Sequence, residues 1–139
     1  MLSLNQKKYV NSLKQKKYRN QHNVFVVEGI KMIEELLASD YEVELIFALE
    51  NWVSNNSTIN CEIVSEKELA SISSLKSPNE VLAVVKMKET LLNDISSQLT
   101  IALDKVQDPG NMGTIIRTAD WFGIRNIVCS ERTYQNYCC

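Results

Sequence analysis

Apolar positions along the chain alternate between two spacings, and that alternation predicts a layered α/β architecture. Residues 24–27 (Val-Phe-Val-Val), 43–49, 61–64 and 81–87 (Val-Leu-Ala-Val-Val-Lys-Met) are compact runs rich in β-branched residues, the pattern of buried strands. Ile30, Ile33 and Leu37 are expected on one face of a helix, and Leu69, Ile72 and Leu75 on one side of another. The second of these helices opens at Ser65-Glu-Lys-Glu68, the spacing of a capping box. Residues 4–20 read as one helix whose few apolar positions are mainly Tyr9, Val10 and Leu13. Residues 51–60 are rich in Asn and Ser and read as mostly loop. The pattern predicts a first domain over residues 1–90 and a linker over 91–98, with room for a helical turn, where the strand signal lapses.

From residue 99 onward the chain reads strand, tight loop, helix, strand, one βαβ unit whose strands should lie parallel. Asp108-Pro-Gly-Asn-Met-Gly113 is the expected loop, with Pro109 fixing one φ and the two glycines allowing conformations other residues resist. Met112, Ile115, Ile116, Ala119 and Phe122 form the apolar stripe of the helix, and Gly123 suits its end. Arg117 falls nearly opposite that stripe. There it is either a solvated helix arginine or a group that neutralises phosphate or steadies charge developing on an oxygen. Gly110-x-x-Gly113 lacks the spacing of a dinucleotide fingerprint and no P-loop lysine follows, which argues against a nucleotide cradle.

Charge adds an asymmetry. The net charge of −2 hides seven basic residues in positions 1–31 (Lys7, Lys8, Lys14, Lys16, Lys17, Arg19, Lys31) against a single acid, Glu28. A basic arm on an acidic body is a footprint of polyanion binding, although lysine runs are also ordinary solvated helix faces. Cys61, Cys129, Cys138 and Cys139 have no Cys-x-x-Cys spacing, and His22 is the one histidine, so no metal site is expected. His22 reads as a surface or loop residue and the cysteines as reduced thiols. With neither a membrane-length apolar run nor a secretion signal, the reading is a cytoplasmic protein that does not engage membranes.

The string Leu103-Asp-Lys-Val-Gln-Asp-Pro-Gly-Asn-Met-Gly-Thr-Ile-Ile-Arg-Thr-Ala-Asp-Trp-Phe-Gly123 resembles the first signature motif of the SpoU/TrmH branch of the SPOUT RNA methyltransferases. Phe25-Val-Val-Glu-Gly29 with Glu34-Glu-Leu-Leu37, and Ser77-Pro-Asn-Glu-Val-Leu-Ala-Val-Val85, are similar to that family's N-terminal substrate-binding domain. The resemblance implies an α/β chain: an L30e-like RNA-binding domain, then the first βαβ unit of a trefoil-knot methyltransferase domain over residues 99–139. It implies transfer of a methyl group from S-adenosylmethionine to a ribose 2′-hydroxyl in tRNA or rRNA. Arg117 matches the arginine associated with deprotonating or orienting that hydroxyl, and Asn111 the motif asparagine beside it. Lys7, Lys8, Lys14, Lys16, Lys17 and Arg19, with Glu28 and Gly29, would hold the RNA, largely through phosphates.

The family's second and third motifs, its cofactor-binding knot and its homodimer interface lie in sequence that does not follow here. The ending Ser130-Glu-Arg-Thr-Tyr-Gln-Asn-Tyr-Cys-Cys139 also leaves the family pattern. The expectation is a methyltransferase cut short by a premature stop or frameshift near Thr133, which binds no cofactor alone and whose residues 99–139 expose apolar surface. The alternative is a non-catalytic RNA-binding module.

Overall fold

Five consecutive buried residues, Val81 to Val85, set the organisation of the first of two units, Met1–Glu89 and Thr90–Cys139. The computed structural model describes residues 1–88, 98–130 and 133. The expected linker therefore lies almost wholly outside the described residues, as do Cys138, Cys139 and nearly all of the terminal segment.

In order, the first unit runs α1 (Leu4–Ser12), α2 (Lys16–His22), β1 (Val24–Glu28), α3 (Ile30–Leu37), β2 (Val43–Ala48), α4 (Glu50–Asn55), β3 (Glu62–Ile63), α5 (Glu66–Ile72) and β4 (Val81–Lys86). The sheet order is β1-β4-β2-β3, with β4 antiparallel to both neighbours and β3 parallel to β2. Side chains alternate across a strand, so β4 supplies two cores. Leu82 and Val84 pack with Val10, Leu13, Leu69 and Ile72 of the α1 and α5 side. Val81, Ala83 and Val85 pack with Ile33, Leu36 and Trp52 of the α3 and α4 side. The result is a sheet covered by helices on both faces.

Four expectations for this unit are corrected. The single helix over residues 4–20 is two helices broken at residues 13–15, because burying Leu13 behind α1 turns the chain before α2 begins. The Asn/Ser-rich stretch is not loop throughout. It contains α4, whose Trp52 is 3% exposed, so burial of one indole outweighs poor local propensity. On α3 the buried face is Ile33 and Leu36, whereas Leu37 and Ile30 stay partly exposed. Finally, α5 ends at Ile72, where Ser73 turns extended, and leaves Leu75 outside the core. The capping box at its start is present: the Ser65 hydroxyl accepts from the Glu68 N–H, and the Glu68 carboxylate accepts from the Ser65 N–H. The backbone N–H groups of Ser65 and Leu2 hold the Glu68 carboxyl below its ordinary pKa.

The second unit is β5 (Thr100–Leu103), α6 (Pro109–Trp121) and β6 (Asn126–Cys129), with β5 and β6 parallel. The expected loop at 108–113 is instead mostly the first turn of α6. Asp108 caps it, its carboxylate accepting from the Asn111 N–H at 2.7 Å, and Pro109 sits where a missing N–H costs nothing. Neither Gly110 nor Gly113 has a positive φ, so backbone freedom is not why they are glycine. A Cβ at Gly110 would stand 3.1 Å from the Asp108 carboxylate, which makes it a space requirement of the cap. Gly123, at φ 69°, does end the helix as expected. Only Met112 and Ala119 of the stripe are buried among the described residues, while Ile116 and Phe122 are exposed.

Two substitutions check these assignments. Trp52→Ala should cost about 3–5 kcal/mol in urea unfolding, as for a buried tryptophan; a loss within about 0.5 kcal/mol would mark a surface loop. Asp108→Ala should cost about 1 kcal/mol locally, read as faster amide exchange at residues 111–114, and unchanged exchange there would reject the cap.

Candidate functional site

The start of α6 lies just after the carboxyl end of β5, the position where parallel α/β units present ligand sites. An open pocket of about 430 Å³ sits there, lined by Lys105, Val106, Gln107, Asp108, Asn111, Thr114 and Ile115. Its floor is held by the Ser130 hydroxyl, which accepts from the Lys105 N–H at 3.4 Å, and by Ser130 N–H donating to the Leu103 carbonyl at 2.9 Å. Lys105 adopts φ 57°, so this residue makes the turn out of the strand.

Arg117 is exposed and does not itself line the pocket, but its side chain runs back along the helix toward it. Helical side chains lean toward the N-terminus. Arg117 Nη2 donates to Thr114 Oγ1 at 3.4 Å, and Nη1 lies 3.8 Å from where a Cβ on Gly113 would stand. That distance is ordinary van der Waals contact, so a Cβ at Gly113 would touch the guanidinium without displacing it. Asn111, Thr114 and Arg117 follow one another at three-residue spacing from the first turn of α6, where the backbone dipole is positive and Asp108 already takes the Asn111 N–H. That arrangement suits an anion or an oxygen acquiring charge. Sequence reasoning named Asn111 and Arg117 but missed Thr114 and Lys105. The i, i+3 spacing of Thr114 and Arg117 was the available signal for the first; a left-handed lysine has none.

The basic arm is less uniform than its composition suggests. Lys7, Lys8, Lys14 and Lys17 are exposed and Lys16 is partly so; Lys17 Nζ stands 5.8 Å over the Tyr18 ring, and two of the arm's cations are hydrogen-bonded within the fold. Lys14 Nζ donates to the Ser73 carbonyl at 2.9 Å. Arg19 Nη1 donates to the carbonyls of Leu13 and Lys14, at 2.9 and 3.1 Å. Glu28 is engaged as well, its carboxylate accepting from the Ser74 N–H at 2.8 Å and from the Ser73 hydroxyl. Gly29, at φ 108°, begins α3 beside the Asn79 amide and donates its N–H to the Val81 carbonyl. His22 closes α2 with its ring edge-on to Tyr9, 5.2 Å between centroids. Burial and a hydrogen bond to Glu44 push the Tyr9 phenol up to about 12, which keeps it a neutral donor. Burial also raises the Cys61 thiol. Among the described residues no cluster of His, Cys, Asp or Glu could hold a metal, and no helix is long and apolar enough to cross a membrane.

Comparison with known proteins matches both units. The MRM3-like substrate binding domain family matches residues 5–83, and the SpoU rRNA Methylase family matches residues 98–137. A 23S rRNA (guanosine(2553)-2′-O)-methyltransferase, RlmP of Bacillus subtilis, is 35% identical over 85% of this chain and 48% of its own length. A solved structure from Porphyromonas gingivalis, assigned to the TrmH family of RNA methyltransferases, has TM-score 0.84 and 36% identity, over 96% of this chain and 54% of that one. An AdoMet-bound rRNA methyltransferase from Sinorhizobium meliloti has TM-score 0.77 and 27% identity, over 98% of this chain and 57% of that one. The chain spans about half the length of the curated relatives it matches, 48% and 47%. On the family matches to both units and the fold they share with these structures, the chain belongs to the SpoU/TrmH family of RNA methyltransferases, with an MRM3-like substrate-binding domain followed by part of a SpoU domain.

Proposed function

We propose that this chain carries the RNA-holding domain and the first catalytic motif of an S-adenosylmethionine-dependent RNA ribose 2′-O-methyltransferase. Its substrate class is tRNA or rRNA, in the cytoplasm. The observation that carries the reading is the row Asn111, Thr114 and Arg117, the arginine side chain running back toward the N-terminal end of α6, beside a pocket at the carboxyl end of β5. A ribose hydroxyl is a poor acid, so the site must fix its geometry and steady the charge that grows on oxygen as its proton leaves. Arg117 supplies a permanent cation for that oxygen, and Asn111 a neutral amide that orients the ribose. The Glu28–Gly29 corner and the basic arm hold the RNA on the other unit.

S-adenosylmethionine supplies the methyl group when it is bound. The pocket is lined from one stretch of chain, residues 105–115, which makes a single wall. A cofactor of that size needs most of its surface covered, and these residues alone do not provide the cradle. We therefore assign this chain, by itself, no cofactor binding and no methyl transfer; in the family the homodimer supplies further surface.

The second reading, an RNA-binding module without catalysis, is favoured by the contrast in cores. The first unit has two buried clusters of its own, whereas in the second only Met112 and Ala119 are buried apolar residues among those described.

Both readings predict that the chain shifts structured tRNA or rRNA fragments in a gel, with affinity falling steeply from roughly 50 to 200 mM salt. Absence of binding at the lower salt would sink both. Calorimetry with S-adenosylmethionine should give no micromolar binding, and saturable micromolar heats would overturn the assignment of an inactive chain.

A further inference from the structure

Leu4, Lys7, Lys8, Asn11, Ser12 and Gln15 recur at three- and four-residue spacings and so share one side of the arm. In a straight helix over residues 4–20 they would be a flat stripe continuing to Tyr18. The break at residues 13–15 bends the stripe, and Tyr18 of α2 becomes the facing wall of an open groove of about 570 Å³. Val10 and Leu13 anchor the other side of the arm in the core.

The cations of the arm divide by their bonding. Lys7 and Lys8 line the groove, and among the described residues neither ammonium group has a protein partner. Lys14 instead ties the bend to the end of α5 through the Ser73 carbonyl. Arg19 reaches into the bend to hold the carbonyls of residues 13 and 14, and its Nη2 is buried, so it is not offered to solvent. The neighbouring acids are already occupied: Glu44 accepts from Tyr9, Glu62 from Gln6, and Glu68 from Leu2 and Ser65. The groove is therefore a shallow surface, largely apolar in its lining from Leu4, Tyr18 and the lysine stems, that carries two ammonium groups without a protein partner among the described residues.

We propose that this groove docks the phosphodiester backbone of RNA, with Lys7 and Lys8 as the phosphate-binding groups and Lys14 and Arg19 as positioning residues that hold its bend. It rests on the RNA-binding reading above and narrows it from the whole arm to two lysines.

Counterion release separates the two roles. Removing one lysine–phosphate pair lowers the slope of log affinity against log salt by about 0.7 for single-stranded RNA. A positioning residue can weaken binding without changing the slope. The test measures that slope for the full chain with a short single-stranded RNA. Lys7→Ala and Lys8→Ala, both at exposed positions, should each lower it by about 0.7, and the double variant by about twice that. Lys14→Ala should weaken binding with the slope unchanged, as should Arg19→Ala where circular dichroism shows it folded. If the unaltered chain binds but the double variant keeps its slope, the groove is not the docking site and the RNA-binding reading survives. A slope lowered as much by Lys14→Ala would overturn the division of roles. No binding by the unaltered chain would remove the broader reading and this one together.

Discussion

Everything in the first unit depends on β4 being buried on both faces. In a strand with one wet face, a one-residue slip is opposed because it trades core for solvent; here a slip would instead exchange Leu82 and Val84 with Val81, Ala83 and Val85 between two cores. The two sets differ in shape, with larger side chains toward α1 and α5 and an alanine toward α3 and α4. The register also fixes the polar features at the strand's ends. The Val81 carbonyl receives the Gly29 N–H and so locates the start of α3, and the Glu80 carbonyl receives the Leu49 N–H before α4. At the other end, the Met87 N–H donates to the Asn23 carbonyl, which ties the end of α2 to the sheet. The basic arm and the Glu28–Gly29 corner are thus held by one central strand.

What the sequence made legible was what local chemistry dictates. The runs of β-branched residues became strands within a residue or two. The Ser65 capping box formed as its spacing requires, and Gly123 took the left-handed conformation that ends α6. What stayed illegible was decided by packing at a distance. No local rule makes a helix of Glu-Asn-Trp-Val-Ser-Asn, yet Trp52 has an apolar layer to enter and carries its neighbours with it. Likewise the lysine-rich arm has no proline or glycine to announce its break. The break follows from placing Leu13 in the core while Arg19 closes over the exposed carbonyls. The candidate site divides in the same way. Asn111 and Arg117 were readable from their motif, but Asp108 as a cap and the bond from Arg117 back to Thr114 emerge only from geometry.

The second unit inverts the balance between local and distant effects. Its helix start is specified by near neighbours alone: a carboxylate, a proline, and a glycine that makes room for the carboxylate. Its burial is not. Trp121 and Phe122 are 87% and 74% exposed and Leu99 is 71% exposed, a concentration of apolar surface unlike the first unit. A two-stranded parallel sheet with one helix can form its motif correctly yet still lack the neighbours that a core requires.

The two units ask opposite things of water. The proposed phosphate binding by Lys7 and Lys8 would work in full solvent, because its free energy would come largely from counterions released into that solvent. The charge stabilisation proposed for Arg117 would not. Two unit charges about 4 Å apart gain about 1 kcal/mol in bulk water and about 4 kcal/mol at the effective dielectric of a partly enclosed protein site. Losing a well-placed donor to a developing oxyanion typically costs about 2.7–4 kcal/mol, which only the second regime can supply. Arg117 is exposed and is held by a single 3.4 Å hydrogen bond to Thr114. Its position is therefore set by α6, and the catalytic role proposed for it would require a second wall that excludes water from the pocket. On the proposed reading, holding RNA would draw on exposed lysines of one unit, whereas the chemistry would need something to close over Asn111 and Arg117.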